Sequence, residues 1–226
     1  MIWDVIARAF ERLKTGPLQP LDLPGVEFHD RRRTAAQSHH GYKTRARTIA
    51  SVTGITLHQT ACVMGERPAR YDGGGAHVFV TRAGKVIWLH DWDRRVIAAN
   101  GLNDSTVSIE FDGLLFGIEG DIKTVWDNPA TSARENGMPL TQEQVEAGLD
   151  CIRWIVADVA RRGGKVTAIR AHREASASRR SDPGQAVWRD VALMACAELG
   201  LTAGGGTLGN GLPIPEVWGG AAGARY

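Results

Sequence analysis

Short apolar runs and longer segments of helical spacing alternate along the central part of the chain. Five of the runs have the length of a strand. They are Ile55–Leu57, His77–Arg82, Lys85–Asp91, Thr106–Phe111 and Thr167–Ala171. Gly84 lies between the second and third runs, where a glycine supplies the positive φ that a tight turn requires. The pattern therefore predicts that these two strands pair as a hairpin.

Two segments repeat apolar residues at the spacing of a helix that packs on a sheet. The first begins with the capping-box pair Thr141 and Gln144 and ends at Gly163. The second covers Gln185–Leu199. Strands that alternate with helices predict the α/β class, with a central mixed β-sheet flanked by helices.

The predicted elements divide the chain into three parts. Residues 51–200 contain the five strands and both helices, and they form a single predicted domain. Residues 1–50 comprise an amphipathic helix between Ile2 and Leu13, a proline-containing linker at Gly16–Pro24 and an irregular basic stretch. Residues 201–226 are rich in glycine and have little apolar periodicity, so we expect a loose tail.

Composition and charge limit the classes of function. The chain has 226 residues, of which 43% are hydrophobic, and this is enough for a substantial core. A net charge of +2 argues against a nucleic-acid binder that neutralises phosphates. No apolar run has the length of a transmembrane helix. Charged residues such as Asp4 and Arg8 interrupt the first apolar positions, so we expect no signal peptide and synthesis in the cytoplasm.

Basic residues cluster before the predicted domain, at His29–Arg33 and at Lys43, Arg45 and Arg47. A solvated linker is the simpler interpretation of such a cluster. Contact with an anionic polymer is the alternative.

A histidine and an aspartate lie ten positions apart around the last predicted strand and helix. His172 stands at the end of the strand, and Asp182 opens the turn that leads into the second helix. His58 ends another apolar run in the same way. Two imidazoles and one carboxylate are a ligand set of catalytic zinc sites, which keep a fourth position open for water. The alternative is that both histidines only end strands and that Asp182 only caps a helix.

The three cysteines are Cys62, Cys151 and Cys196, and they show no CxxC spacing. The sequence therefore indicates neither a disulfide framework nor a thiolate metal site. Cys62 follows His58 by four positions, so an approach to the metal is conceivable, but we expect a small buried side chain.

Four segments resemble, in order and spacing, the landmarks of the zinc N-acetylmuramoyl-L-alanine amidases, which share their fold with peptidoglycan recognition proteins. The segments are TLHQTA, AHVFVTRAGKVIW, NDSTVSIEFDG and RAHREASASRRSDPG. The resemblance covers about Ile55 to Leu199. It implies that His58, His172 and Asp182 are the zinc ligands, the same three residues that the strand ends indicate.

The resemblance also implies two catalytic residues. Glu110 occupies the position of a glutamate that closes a SIGIE-like strand and acts on the water at the metal. Arg180 occupies the position at which the family usually has a lysine that stabilises the oxyanion. A guanidinium does not deprotonate in proteins, so electrostatic stabilisation is the role that remains for Arg180. Arg179 is the alternative donor.

The function implied is that of a zinc peptidoglycan hydrolase that cleaves the bond between N-acetylmuramic acid and the L-alanine of the stem peptide. The expected substrate is peptidoglycan or a muropeptide, and the expected state is a monomer. A phage or prophage endolysin, which acts on the cell wall after release, is the first interpretation. The alternatives are a non-catalytic peptidoglycan-binding module of the same fold and a cytoplasmic amidase that recycles anhydro-muropeptides.

The segment Leu114–Leu140 has few periodic apolar residues and several Gly, Asn and Pro. Loops of this length in a compact domain are usually functional or mobile. We expect it to form a wall of the substrate groove. Trp126 is a candidate to stack on sugar or peptide, and the alternative is that it anchors its own loop.

Overall fold

A computed structural model of the protein describes residues 26–38, 44–126 and 137–226. The amphipathic helix predicted between Ile2 and Leu13 and the linker at Gly16–Pro24 lie outside the described residues. The same is true of residues 127–136, which belong to the long predicted loop.

Seven strands form one mixed sheet, with the order β1-β5-β4-β7-β3-β8-β9. The strands are β1 (Phe28–Asp30), β3 (Gly54–Gln59), β4 (Val78–Val80), β5 (Val86–Trp88), β7 (Thr106–Phe111), β8 (Ala168–Ala171) and β9 (Thr202–Ala203). Among the described strands of this sheet, β4 and β5 are the one antiparallel pair, as the hairpin predicted around Gly84 requires. Two further strands, β2 (Arg45–Ala46) and β6 (Arg94–Arg95), form a small antiparallel pair. The predicted α/β class with a mixed sheet is confirmed.

The centre of the sheet determines where the site lies. Strand β3 runs parallel to both β7 and β8, which flank it. Parallel strands bring their carboxyl ends to the same edge of a sheet, where α/β proteins bind ligands. His58 therefore lies directly opposite Glu110, and Leu57 lies opposite Ala171, the residue before His172.

Three helices accompany the sheet in the described part of the chain. Helix α1 covers Arg32–Ser38 and helix α2 covers Gln142–Arg161. Helix α3 begins as Gln185–Val187, continues in π-helical form over Trp188–Leu193 and ends as Met194–Leu199. Both predicted helices are thus present.

The capping box predicted for α2 is complete. The Thr141 side chain accepts a hydrogen bond from the Gln144 backbone, and the Gln144 side chain accepts one from Thr141 N. Helix α2 then packs closely on β7. A Cβ at Gly148 would lie 2.8 Å from the ring of Phe111, so the glycine permits this approach.

Three tryptophans fill the space between the sheet and α2. The ring centroids of Trp88, Trp92 and Trp154 lie 4.9 to 5.1 Å apart. Trp92 Nε1 donates a hydrogen bond to the buried carboxylate of Asp158 in α2. Aromatic packing and a satisfied indole N–H together fix the helix on this part of the sheet.

The basic stretch before the domain is not an irregular linker in the described part. Strand β1 pairs with β5 at the edge of the sheet, and α1 follows it directly. Arg31 forms an ion pair with Asp72, and Arg32 pairs with Asp30 and Asp91. The expectation of an irregular, solvated stretch was wrong here because these guanidinium groups hold β1 and α1 to the domain.

The glycine-rich tail is also not loose. Trp218 is only 1% exposed, and its indole N–H donates to Gly117 O over 2.6 Å. Strand β9 extends the sheet beside β8, and Leu212 N donates to Arg173 O. The expectation of a loose extension was wrong because one buried aromatic side chain and backbone pairing attach the tail without any apolar periodicity.

Cys62 is exposed, so the expectation of a buried side chain was wrong, whereas Cys151 and Cys196 are buried. Within the described residues, no helix is long and apolar enough to cross a membrane.

Candidate metal centre and active site

Three side chains from separate segments meet at the carboxyl edge of the central strands. His58 is the fifth residue of β3, and His172 begins a short 3₁₀ turn directly after β8. Asp182 lies in the turn that leads into α3. All three are buried, and one ligand atom from each lies within 4.8 Å of the others. The structure therefore brings together the three residues that the sequence identified.

The ligand atoms face one another. Nδ1 of His58 lies 3.0 Å from Nδ1 of His172, which lies 2.9 Å from Oδ2 of Asp182. The distance from His58 Nδ1 to the same carboxylate oxygen is 3.7 Å. Two ring nitrogens and a carboxylate oxygen in one buried cluster are a donor set that fits a divalent metal ion such as zinc.

Gln59 holds Asp182 in place. The backbone N–H of Gln59 donates to Asp182 Oδ1 over 2.9 Å, which leaves Oδ2 for the histidines. The Gln59 side-chain amide donates to Ser181 O, and its oxygen accepts from Leu115 N. One residue next to His58 thus fixes the turn that carries the carboxylate.

Asn100 holds His172. Its Oδ1 lies 2.7 Å from His172 Nε2, on the far side of the ring from Asp182. Because an amide oxygen only accepts, the Nε2 position carries the proton, and Nδ1 is able to offer its lone pair to a metal. Asn100 has a φ of +29°, a conformation that residues other than glycine seldom adopt.

The electrostatics of the cluster favour an ionised Asp182 carboxylate. Burial alone would raise the pKa of Asp182, but hydrogen bonds and electrostatic interaction with His172 and His58 bring it well below its ordinary value. Burial, together with the neighbouring His172, lowers the pKa of His58. Both pKa shifts favour the forms that bind a metal, which are the ionised carboxylate of Asp182 and the uncharged imidazole of His58.

Glu110 lies beside this cluster with one carboxylate oxygen unsatisfied. Its Oε2 is buried and has no hydrogen-bond partner in the part of the chain that the structure describes. Burial raises the pKa of Glu110 well above its ordinary value, the charge of Asp182 raises it further, and Arg179 opposes the shift. A carboxylate with a raised pKa that is not tied to other protein groups is suited to accept a proton.

The two arginines before Asp182 occupy different places. The Arg179 guanidinium acts electrostatically on both Glu110 and His58, and it lies 4.9 Å over the ring of Trp126. Arg180 is exposed, and its guanidinium lies 4.8 Å over the ring of Tyr226. Trp126, the candidate to stack on substrate, packs against Arg179.

His77 is part of the framework and not of the cluster. Its Nδ1 accepts from Ser108 N, and its Nε2 lies 2.8 Å from Arg94 O. Both ring nitrogens therefore bind backbone groups, as expected for a structural histidine.

Sequence reasoning missed Gln59 and Asn100. Gln59 directly follows His58 in the TLHQTA segment, so its place beside a strand-end ligand was an available signal. Asn100 lies in a stretch of turn residues, NGLND, where asparagine has an ordinary local explanation. Nothing in the sequence connects it with His172, which is 72 positions away.

Comparison with solved structures supports the fold. The chain is similar to the endolysin N-acetylmuramoyl-L-alanine amidase LysCS from Clostridium intestinale URNW, with a TM-score of 0.52 and 13% identity over 83% of this chain and 100% of that one. It is also similar to the N-acetylmuramoyl-L-alanine amidase LysC from the same organism, with a TM-score of 0.50 and 13% identity over 78% of this chain and 99% of that one. At such identities the likeness concerns the fold.

No curated protein matches the chain by sequence. A family model does match it, over residues 48–185, and its description is N-acetylmuramoyl-L-alanine amidase. The match spans more than half of the chain and includes His58, Glu110, His172 and Asp182. The chain belongs to the N-acetylmuramoyl-L-alanine amidase family.

Proposed function

We propose that the protein is a zinc-dependent peptidoglycan hydrolase that cleaves the amide bond between N-acetylmuramic acid and the L-alanine of the stem peptide. The observation that carries the proposal is the convergence of His58, His172 and Asp182 beside the unsatisfied carboxylate of Glu110. A binding module of the same fold would need neither the ligand cluster nor a glutamate with a buried carboxylate oxygen that no described residue binds.

His58, His172 and Asp182 would hold the zinc ion. The 3.0 Å separation of the two Nδ1 atoms supports this assignment, because two lone pairs repel each other unless a cation or a proton lies between them. Zinc in such a site acts as a Lewis acid and lowers the pKa of water to about 7. The remaining chemistry belongs to side chains of this chain.

Glu110 acts as general base and then as general acid. Its Oε2 takes the proton of the attacking water as the new C–O bond forms at the amide carbonyl. The same carboxyl group then gives a proton to the nitrogen of L-alanine as the C–N bond breaks. The products are the carboxylate of the muramic acid lactyl group and a stem peptide with a free amino terminus.

Arg179 supplies the positive charge that the sequence assigned to Arg180. Negative charge develops on the carbonyl oxygen during attack, and a fixed guanidinium stabilises it. The stacking of Arg179 on Trp126 supports this role, because it restricts the guanidinium beside the cluster. Arg180 then has a different role, which is described below together with the groove that it lines.

An endolysin is the biological role that we propose. The solved structure with a TM-score of 0.52 carries that name, and it covers 83% of this chain. The protein would act on the cell wall after release. It would act as a monomer, since one chain provides all the ligands, Glu110 and Arg179.

The test is mass spectrometry of purified peptidoglycan and small muropeptides after incubation with the protein, with and without a chelator. We expect stem peptides with free L-alanine amino termini, no release in the presence of the chelator, and recovery on addition of zinc. Stoichiometric zinc without cleavage of either substrate would identify a binding module and refute the enzymatic proposal.

A further inference from the structure

A groove is lined by Arg180 and Ser181, the two residues that precede Asp182. It encloses about 220 Å³. Its walls come from three segments that are distant in sequence: the long loop, the stretch before Asp182 and the end of the tail. The residues that define it are Lys123, Trp126, Ser178, Arg180, Ser181 and Tyr226.

The tail fixes the floor of this groove. The Tyr226 hydroxyl lies 2.7 Å from Ser181 Oγ and donates to Thr124 O. Two guanidinium groups lie over the Tyr226 ring, with Arg180 at 4.8 Å and the buried Arg173 at 5.3 Å from its centre. The tyrosine therefore has a defined position, which in turn places Arg180 along one wall.

The groove is positively charged. Lys123 and Arg180 are both exposed and line it, and neither forms an ion pair with another residue in the described ranges. No Asp or Glu is among its lining residues. Elsewhere in the domain the arginines are commonly paired, as Arg31 is with Asp72 and Arg153 with Glu198. Two cations that share a small concave site lined by no Asp or Glu side chain can bind an anion.

The geometry points to a subsite for a carboxylate of the peptide part of the substrate, held by Lys123 and Arg180 over the ring of Tyr226. This inference rests on the proposed function. The groove adjoins the ligand turn, because Ser181 precedes Asp182 and its carbonyl accepts from Gln59. In the stem peptide the residue after L-alanine is a glutamate, which offers a carboxylate.

The test compares two small substrates that differ only at that group. One is N-acetylmuramoyl-L-alanyl-D-glutamate with a free α-carboxylate, and the other is its α-amide. For the wild-type protein we expect kcat/KM to be about tenfold higher for the acid than for the amide. The difference should lie in KM. A tenfold ratio corresponds to the loss of one charge-assisted hydrogen bond. Lys123→Gln should reduce this preference to less than about threefold.

Lys165→Gln is the matched control. Lys165 is exposed and lies before β8, at the opposite edge of the sheet from the cluster, and the substitution removes the same charge. This variant should keep the wild-type preference. An equal rate on both substrates, or a preference that survives Lys123→Gln, would overturn the subsite.

Failure of the enzymatic proposal can be distinguished from failure of the subsite. If the wild-type protein cleaves neither substrate, calorimetry with the free dipeptides L-alanyl-D-glutamate and L-alanyl-D-glutamine replaces the rates. Tighter binding of the acid that Lys123→Gln abolishes would support the subsite without catalysis. Equal binding of the two dipeptides would reject it.

Discussion

Nε2 of His172 donates a hydrogen bond to Oδ1 of Asn100 over 2.7 Å, on the side of the ring opposite Asp182. This contact determines which nitrogen of the imidazole faces the cluster. Asn100 makes this contact with a φ of +29°. A strained backbone at a functional position is retained where the surrounding contacts require it.

We expect Asn100→Ala to lower zinc affinity about 10- to 100-fold, the usual effect of removing a hydrogen-bond partner of a metal ligand. The measurement is competition with a chromophoric chelator. Asn100→Asp retains an acceptor at the same position and should retain most of the affinity. Asn100→Gly relieves the positive φ but lacks the acceptor, so it should bind zinc as weakly as the alanine variant. Tight binding by the glycine variant would show that only backbone geometry matters.

Asp182 and Glu110 should separate metal binding from catalysis. Asp182→Ala removes a ligand and should lose zinc and hydrolysis together. Glu110→Gln should keep stoichiometric zinc and lower kcat by about 10²- to 10⁴-fold, because only proton transfer is removed. Metal analysis of the purified variants and mass spectrometry of the released peptides give the two readouts. Hydrolysis by Glu110→Gln at the parent rate would eliminate Glu110 as the base.

The sequence predicts the framework of the site well because its signals are local. His58 and His172 each follow a short apolar run, and parallel strands bring such ends to one edge. Glu110 was identified by the resemblance of its segment to the amidase family, and it lies opposite His58 in the neighbouring strand. The capping box at Thr141 likewise needs only four adjacent residues. These features depend on the periodicity of apolar residues and on short spacings, and both can be read from a single sequence.

The remaining features depend on contacts between distant segments. Gln59 reaches Ser181 across 122 positions, and Asn100 reaches His172 across 72. The tail is attached by the single buried ring of Trp218, which has no periodic neighbours. Strand β1 has only three residues, too few for an alternation to be recognised. In each case the polar or aromatic residue has an ordinary local interpretation, and only the fold gives it a partner.

Arg179 and Arg180 should have different kinetic effects. Arg179→Gln should lower kcat by about 10²-fold, the effect of losing one oxyanion donor. Arg180→Gln should raise KM for substrates with a free carboxylate and change kcat little. Initial rates over a range of concentrations of the acid muropeptide distinguish the two. A larger loss of kcat for Arg180→Gln than for Arg179→Gln would return the oxyanion role to Arg180.

Trp218 should account for much of the attachment of the tail. Its side chain is buried, its N–H donates to Gly117 O, and Arg173 lies 4.8 Å over its ring. We expect Trp218→Ala to lower the free energy of unfolding by about 3 to 5 kcal/mol, measured by urea denaturation. Val217 is the adjacent residue and is 46% exposed, so Val217→Ala should change stability by less than about 0.5 kcal/mol. Equal stability of the two variants would mean that the tail does not contribute to the core.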